Sequence, residues 1–471
     1  MLERIQTYKL KTKKITPLFY LFLIGIFFES LDAFSLFSIP LPWIGVSIFI
    51  FIYVIYYIFG FEIEFNQFDS LRVLLLYFTS ITLIRAVAYS PDLPEFATTS
   101  FTQYISLRLL KLLGFIAVIW FVYTLSNYFD RDTIIKFISF IGITVSLLSL
   151  ISYFSYIFDF QDFSRNRPGS RGWSQPIKRA CSILRNYGTF REPSFLAVWL
   201  APIVPLNFYL ARKQAIWYGL SILPILAIIL SRSLTGVISL ILGILFAAVL
   251  WTLKNKSFDL LFIIPIIFLL FSSVIGNSLG YKFPALDPSM CPPESPDKCN
   301  CSLYDDKLDE AKNSESVIKS VFERITLITR GGLDGFENIY ILNQYISSEN
   351  FQIFGQGLGI ANLNFSPTFD DLTKRNVDEE IIYRNPGQIV SFNNLYINLY
   401  FSGGIIGLIW FLIFLFNVLK KLYNNGNEYS FYIFSNLVII LLMYFFQAEE
   451  FSTMFAISLG LMLLEFKNEK V

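Results

Sequence analysis

Apolar runs of about 20 residues recur along the chain, separated by short polar or charged links. Each is long enough to cross a bilayer as a helix. In order they predict about twelve spans, near 16–37, 41–59, 69–88, 105–126, 134–157, 193–211, 215–231, 234–252, 258–277, 394–418, 430–447 and 451–466. Hydrophobic residues make up 54% of the 471 and charged ones 15%, well below the roughly 25% charged usual in soluble proteins. The expected fold is therefore all-α: a polytopic helical membrane protein, with one integral membrane domain over 1–471. The first apolar run is long enough to span and lacks a small-residue cleavage pattern, so no cleavable signal peptide is expected.

Lysine and arginine in the short links set the expected orientation. Arg4, Lys9, Lys11, Lys13 and Lys14 precede the first run. Arg212 and Lys213, Lys254 and Lys256, Lys420 and Lys421, then Lys467 and Lys470 follow on alternate links. With twelve spans all of these fall on one side, which makes both termini cytoplasmic. The links at Asp92 and Glu95, and at Glu449 and Glu450, are acidic and fall on the other side. The acidic link at Glu62 and Glu64 runs against the trend. The net charge of +1 points to no partner, and nothing in the pattern points to nucleic acid.

Two outer segments are too long to be mere connections: 158–192 and 280–393. The first carries Arg165, Arg167, Arg171, Lys178, Arg179, Arg185 and Arg191 against Asp159 and Asp162. Cations outside the membrane break the positive-inside trend, and that break calls for a ligand. In the second, Val317, Val321, Ile325 and Ile328 recur at helical spacing, as do Phe336, Ile339, Tyr340 and Asn343 to Ile346. They predict two amphipathic helices lying on the membrane face or capping the bundle. Cys181, Cys291, Cys299 and Cys301 all fall in these two segments. That placement suits an oxidising compartment, with disulfide, free thiols and metal binding as the readings, in that order.

Guanidinium forks match phosphate oxygens, so the arginines would grip a lipid-borne diphosphate or, more blandly, touch anionic lipid. The chain has no histidine, so a proton acceptor must be a carboxylate, a lysine or a tyrosine. Glu192 is a base or else a helix cap paired to Arg191. It precedes Pro193, which suits the first turn of a helix. Arg232, in Ser231-Arg232-Ser233, reaches into the same site or snorkels at the bilayer edge. Gly355-Gln356-Gly357-Leu358-Gly359 lacks the strand–helix context of a nucleotide loop and reads as a close backbone approach. Asn393 and Asn394 bind sugar hydroxyls or cap a helix. Glu29 and Asp32, inside the first apolar run, are candidates by location without an assigned role. No acidic pair has metal-binding spacing.

Four pieces, in order, resemble the superfamily of bacterial O-antigen polymerases and O-antigen ligases. They are Gly188-Thr189-Phe190-Arg191-Glu192-Pro193-Ser194 at a span entrance and Ser231-Arg232 at a later outer turn. Phe354-Gly355-Gln356-Gly357-Leu358-Gly359 follows late in the large loop. Asn393-Asn394-Leu395-Tyr396 then leads to Gly403-Gly404-Ile405-Ile406-Gly407. The likeness covers about 180 to 415; the first five spans match only as hydrophobic helices. Ligase-type members carry a histidine where this chain has Asn393, and some relatives have one where it has Gln356, so the resemblance favours a polymerase.

The resemblance implies a GT-C-like glycosyltransferase of the bacterial inner membrane that uses neither metal nor cofactor. Its donor and acceptor would be glycans on undecaprenyl pyrophosphate, with membrane lipid and a chain-length regulator protein as further partners. Arg191, Glu192 and Arg232 would be catalytic. Arg179, Arg185, Arg324, Tyr187, Asn393 and Asn394 would bind substrate. A ligase is the alternative within the superfamily, and a flippase or other transporter is the alternative outside it.

Overall fold

A computed structural model describes residues 2–58, 69–88, 100–158, 162–167, 184–255, 352–366, 394–445 and 451–467, with single positions at 160, 267, 270, 271, 279, 389 and 392. The described chain is mostly helical, and seven of its helices are long and apolar enough to cross a membrane. The seven count the run Pro193–Ala211 as one, and four shorter apolar helices, Ile15–Glu29, Ile216–Leu230, Glu428–Met443 and Thr453–Glu465, accompany them. The protein is thus an all-α membrane protein of the multi-pass kind.

In chain order the helices are α1 Leu2–Glu29, α2 Leu41–Ile58, α3 Asp69–Ala88, α4 Phe101–Leu125, α5 Arg131–Ile157, α6 Pro193–Leu200, α7 Ile203–Ala211, α8 Ile216–Leu230, α9 Leu234–Asn255, α10 Leu395–Asn425, α11 Glu428–Met443 and α12 Thr453–Lys467. A two-stranded hairpin, β1 Ser35–Leu36 with β2 Ile39–Pro40, separates α1 from α2. The main packings pair α1 with α2, α4 with α12, α9 with α11 and α3 with α10.

Polar side chains fix several helix starts. Asp130 accepts from the Thr133 N–H at 2.9 Å, Asn427 from Ser430 at 2.8 Å and Asn394 from Ile397 at 3.1 Å. Each satisfies a backbone donor that the first turn leaves orphaned. Ion pairs gather at one end of the bundle: Arg131 with Glu465 at 2.8 Å, Arg212 with Glu428, and Lys213 with Asp132. The other end carries the loops described below, and we call it the loop face.

Three spans depart from the sequence reading. The run read as 16–37 is helical only to Glu29. Ser30 closes the last turn by donating its hydroxyl to the Phe27 carbonyl, and the chain then turns through Phe37 and Ser38, both in the left-handed region. The span read as 193–211 is broken into α6 and α7. Pro202 and Pro205 each remove a backbone donor there, and the buried Asn436 amide donates to the Pro202 carbonyl at 2.5 Å. The third, α10, is interrupted at Gly404, whose φ of 67° is left-handed.

That interruption has a partner. Residues 352–357 lie against the broken turn, where Gln356 and Gly357 donate their N–H groups to the Phe401 and Ser402 carbonyls at 2.8 and 2.9 Å. Ile405 donates back to Gln352 at 3.0 Å, and Leu358 donates to the Thr82 hydroxyl of α3 at 2.8 Å. Non-helical backbone at membrane depth is tolerated where protein groups satisfy it. A Cβ at Gly355 would stand 2.0 Å from the Ser402 carbonyl oxygen. The glycine-rich stretch is the close backbone approach expected from sequence, and its target is the opened turn of α10. The run near 258–277 lies almost wholly outside the described residues, as do the two predicted amphipathic helices and all four cysteines.

Candidate functional site

The loop face is built on a loop that crosses the ends of α1, α5 and α8. Arg165, only 5% exposed, anchors it. Its guanidinium donates to the Gly188 carbonyl at 2.7 Å, the Ser152 hydroxyl at 2.8 Å and Asp162 Oδ2 at 2.6 Å. A buried guanidinium is tolerated when its donors are used in this way. The loop then meets the end of α1: Ala33 donates to the Thr189 carbonyl at 3.0 Å, and the Thr189 hydroxyl donates to the Ser30 carbonyl at 2.8 Å.

Asp32 joins the two halves of that loop. Arg167 binds its Oδ1, and Arg191 donates from Nε to its Oδ2 at 2.8 Å. Arg167 and Asp32 are 16% and 15% exposed, and Arg191 is 32% exposed. Arg191 thus pairs with Asp32; among the described residues no ion pair joins it to Glu192. Burial pulls the Arg167 guanidinium below its usual pKa, and the Asp32 charge opposes that shift.

Arg167, Arg191 and Asp32 stand at the edge of a cavity of about 270 Å³. Glu29 and Lys111 line it with them, and Phe115, Phe190, Phe195, Trp43, Trp199 and Phe451 supply aromatic walls. Phe115 and Phe451 pack with ring centroids 4.8 Å apart, and the Arg191 guanidinium lies 5.5 Å from the Phe195 centroid. Lys111 Nζ stands 5.1 Å from the Trp43 ring. Thr453, the first residue of α12, lines the cavity with Glu29. A smaller void beyond Lys111 is lined by Arg108, Asn398 and Leu358. Cations set in aromatic walls at the end of a helix bundle fit an anion that carries an apolar chain.

A second group of predicted residues sits beside this cavity, toward α8 and α9. Asn186 donates to the Leu230 carbonyl at 2.9 Å, and Arg185 Nε donates to the Ser231 carbonyl at 3.1 Å. Arg185 is thereby held at the residue that precedes Arg232. Arg232 is exposed and left-handed, with φ 51°; partial desolvation pulls its pKa down. Glu192 lies between the two groups, close enough to feel Arg191, Asp32 and Arg185. Desolvation raises its pKa, while the Ser194 hydroxyl and the arginines pull it back. It occupies the N-cap position of α6 without capping by its side chain, and Ser194 Oγ donates to it at 3.2 Å. Tyr187 is half-buried 5.7 Å from the Arg165 guanidinium, and burial raises its phenol pKa.

Of the other predicted residues, Asn394 has its amide engaged by the fold. It caps α10 and donates from Nδ2 to the Phe445 carbonyl at 2.7 Å. Arg179, Arg324 and Asn393 lie outside the described residues. The side chains that sequence reasoning left without a role are Glu29, Asp32, Arg108, Lys111 and Thr453. A signal existed for two: Arg108 and Lys111 stand three apart inside the apolar run 105–126, where a cation is costly without a purpose. Among the described residues no three Asp, Glu, Cys or His side chains converge as a metal-binding group.

Comparison of the chain with family models, curated proteins and solved structures gives no match.

Proposed function

We propose that the protein is a membrane polysaccharide polymerase. It joins oligosaccharide repeat units carried on undecaprenyl pyrophosphate, at the outer face of the bacterial inner membrane. The fold would be GT-C-like with about twelve spans, both termini cytoplasmic and the loop face outward. The observation that carries the reading is the pair of guanidiniums, Arg167 and Arg191, that Asp32 holds at the edge of an aromatic-walled cavity.

In this reading Arg191, Lys111 and Arg232 bind the diphosphate and stabilise the charge that grows on it as it leaves, which is electrostatic catalysis. Arg167 and Asp32 position Arg191. The diphosphate is already a good leaving group, so the protein needs no acid; a carboxylate accepts the proton of the attacking sugar hydroxyl. The aromatic walls receive sugar faces and the first isoprene units. Arg185 and Tyr187, with Arg179, Arg324, Asn393 and Asn394, contribute to substrate binding. A chain-length regulator protein would act from outside this site. The four sequence stretches that resemble O-antigen polymerases support the sugar chemistry, and Asn393 in place of histidine favours polymerase over ligase.

The test is incubation of purified protein with lipid-linked repeat units and no nucleotide sugar. A ladder of products one repeat apart supports the reading. Transfer of a single unit to a different acceptor supports a ligase, and no transfer with protein-dependent translocation in vesicles supports a transporter.

A further inference from the structure

We propose that Glu29, at the end of α1, takes the proton from the attacking hydroxyl. This rests on the polymerase reading above and adds to it the identity of the base. Three described carboxylates border the site. Asp32 has both oxygens engaged, Oδ1 by Arg167 and Oδ2 by Arg191. A carboxylate gripped by two guanidiniums is a poor proton acceptor. Glu192 is not among the residues that line the cavity, and Ser194 occupies its Oε2.

Glu29 lines the cavity itself. Thr453, the first residue of α12, lines it with Glu29. Among the described residues no arginine or lysine makes an ion pair with it. The charged and titratable groups around it are Lys111 from α4, Asp32, Arg167 and Arg191 from the loops, and the Tyr444 phenol at the end of α11. Lys111 lies between Glu29 and the smaller void. A diphosphate held by Lys111 and Arg191 therefore brings the donor's anomeric carbon near the Glu29 carboxylate.

The step balances without a further reagent. The acceptor oxygen forms a bond to the anomeric carbon as its proton passes to Glu29. The bond from that carbon to the diphosphate oxygen breaks, and its electron pair leaves with the diphosphate. Glu29 then returns the proton to water at the cavity mouth.

The experiment compares wild type, Glu29→Gln and Glu29→Asp in two assays: turnover of lipid-linked repeat units across pH, and binding of undecaprenyl pyrophosphate. Glu29→Gln should lower kcat by about 100-fold or more while binding changes less than threefold. The fall in rate toward low pH, where the base is protonated, should vanish with it. Glu29→Asp should keep both measurable turnover and that acid limb. Wild-type turnover by Glu29→Gln would overturn the assignment. So would loss of binding in parallel with turnover, which would make Glu29 a structural residue. If wild type itself forms no polymer but binds the lipid, the polymerase reading fails first, and the two failures are told apart.

Discussion

Arg191 and Asp32 meet across 159 residues of chain, with the arginine Nε 2.8 Å from the carboxylate Oδ2. The backbone N–H of Arg191 points at the same oxygen from 3.4 Å, and Arg167 takes the other one. One carboxylate just beyond α1 thus positions two cations that stand 24 residues apart, at 167 and 191. Asp32→Ala should remove the carboxylate from both, leaving Arg167 its bond to the backbone carbonyl of residue 32. With the pair mostly buried, the loss should be about 2 kcal/mol, below the cost of breaking a fully buried pair. A lower melting temperature in detergent, with new protease cleavage within 162–191, is the expected outcome.

Arg232 separates stability from function. Its left-handed backbone, φ 51°, costs a non-glycine residue on the order of 1 kcal/mol. Arg232→Gly should therefore melt at or above the wild-type temperature and yet make no polymer. Arg191→Ala should also abolish polymer at normal protein levels. Measuring membrane abundance, melting and polymer length in the same preparations decides this, and wild-type polymer from both would remove these arginines from the site.

The contact between residues 352–357 and the opened turn of α10 leaves no room for a side chain. A Cβ on Gly355 would meet the Ser402 carbonyl at 2.0 Å, and one on Gly404 would meet that of Ile353 at 2.2 Å. Neither obstacle is a flexible side-chain end, so the backbone itself must move. Gly355→Ala and Gly404→Ala should each destabilise the protein by about 2 kcal/mol or more. Each should also raise hydrogen exchange at Gln356 and Gly357, whose N–H groups bond to α10.

Burial raises the pKa of Glu192 in the folded protein. A carboxylate with a raised folded pKa favours the fold while protonated, and that advantage is lost as pH rises through the folded value. Glu192→Gln should therefore match wild type in melting temperature below the ordinary glutamate pKa. It should gain on wild type as pH rises into the neutral range. Melting scans that run upward from the ordinary glutamate pKa, about 4.3, into the neutral range check the sign.

The pattern of apolar runs carried the architecture, because helix length and hydropathy are local properties. α2 (41–58) and α3 (69–88) keep the expected 41–59 and 69–88 almost to the residue. The chemistry was only half legible. Pro193, Arg191 and Arg232 announced themselves through turns and charge in short polar stretches. Asp32 showed only as a carboxylate inside an apolar run and without a role, since Ala33, Phe34, Leu36 and Phe37 continue the hydropathy of α1 beyond its end. Its role comes from arginines 135 and 159 residues away, and no periodicity encodes such pairings. Lys111 showed only as a cation inside an apolar run, and Thr453 carried no signal at all. The break at Gly404 depends on the distant loop that satisfies it, so local pattern showed only a glycine pair.

The most direct test of the account is the affinity of the purified protein for undecaprenyl pyrophosphate, measured beside undecaprenol, which has the same chain without the diphosphate. Wild type should bind the pyrophosphate at least tenfold more tightly than the alcohol, and Arg191→Ala should lose most of that difference. Equal affinity for both lipids, or an unchanged preference in Arg191→Ala, would contradict it.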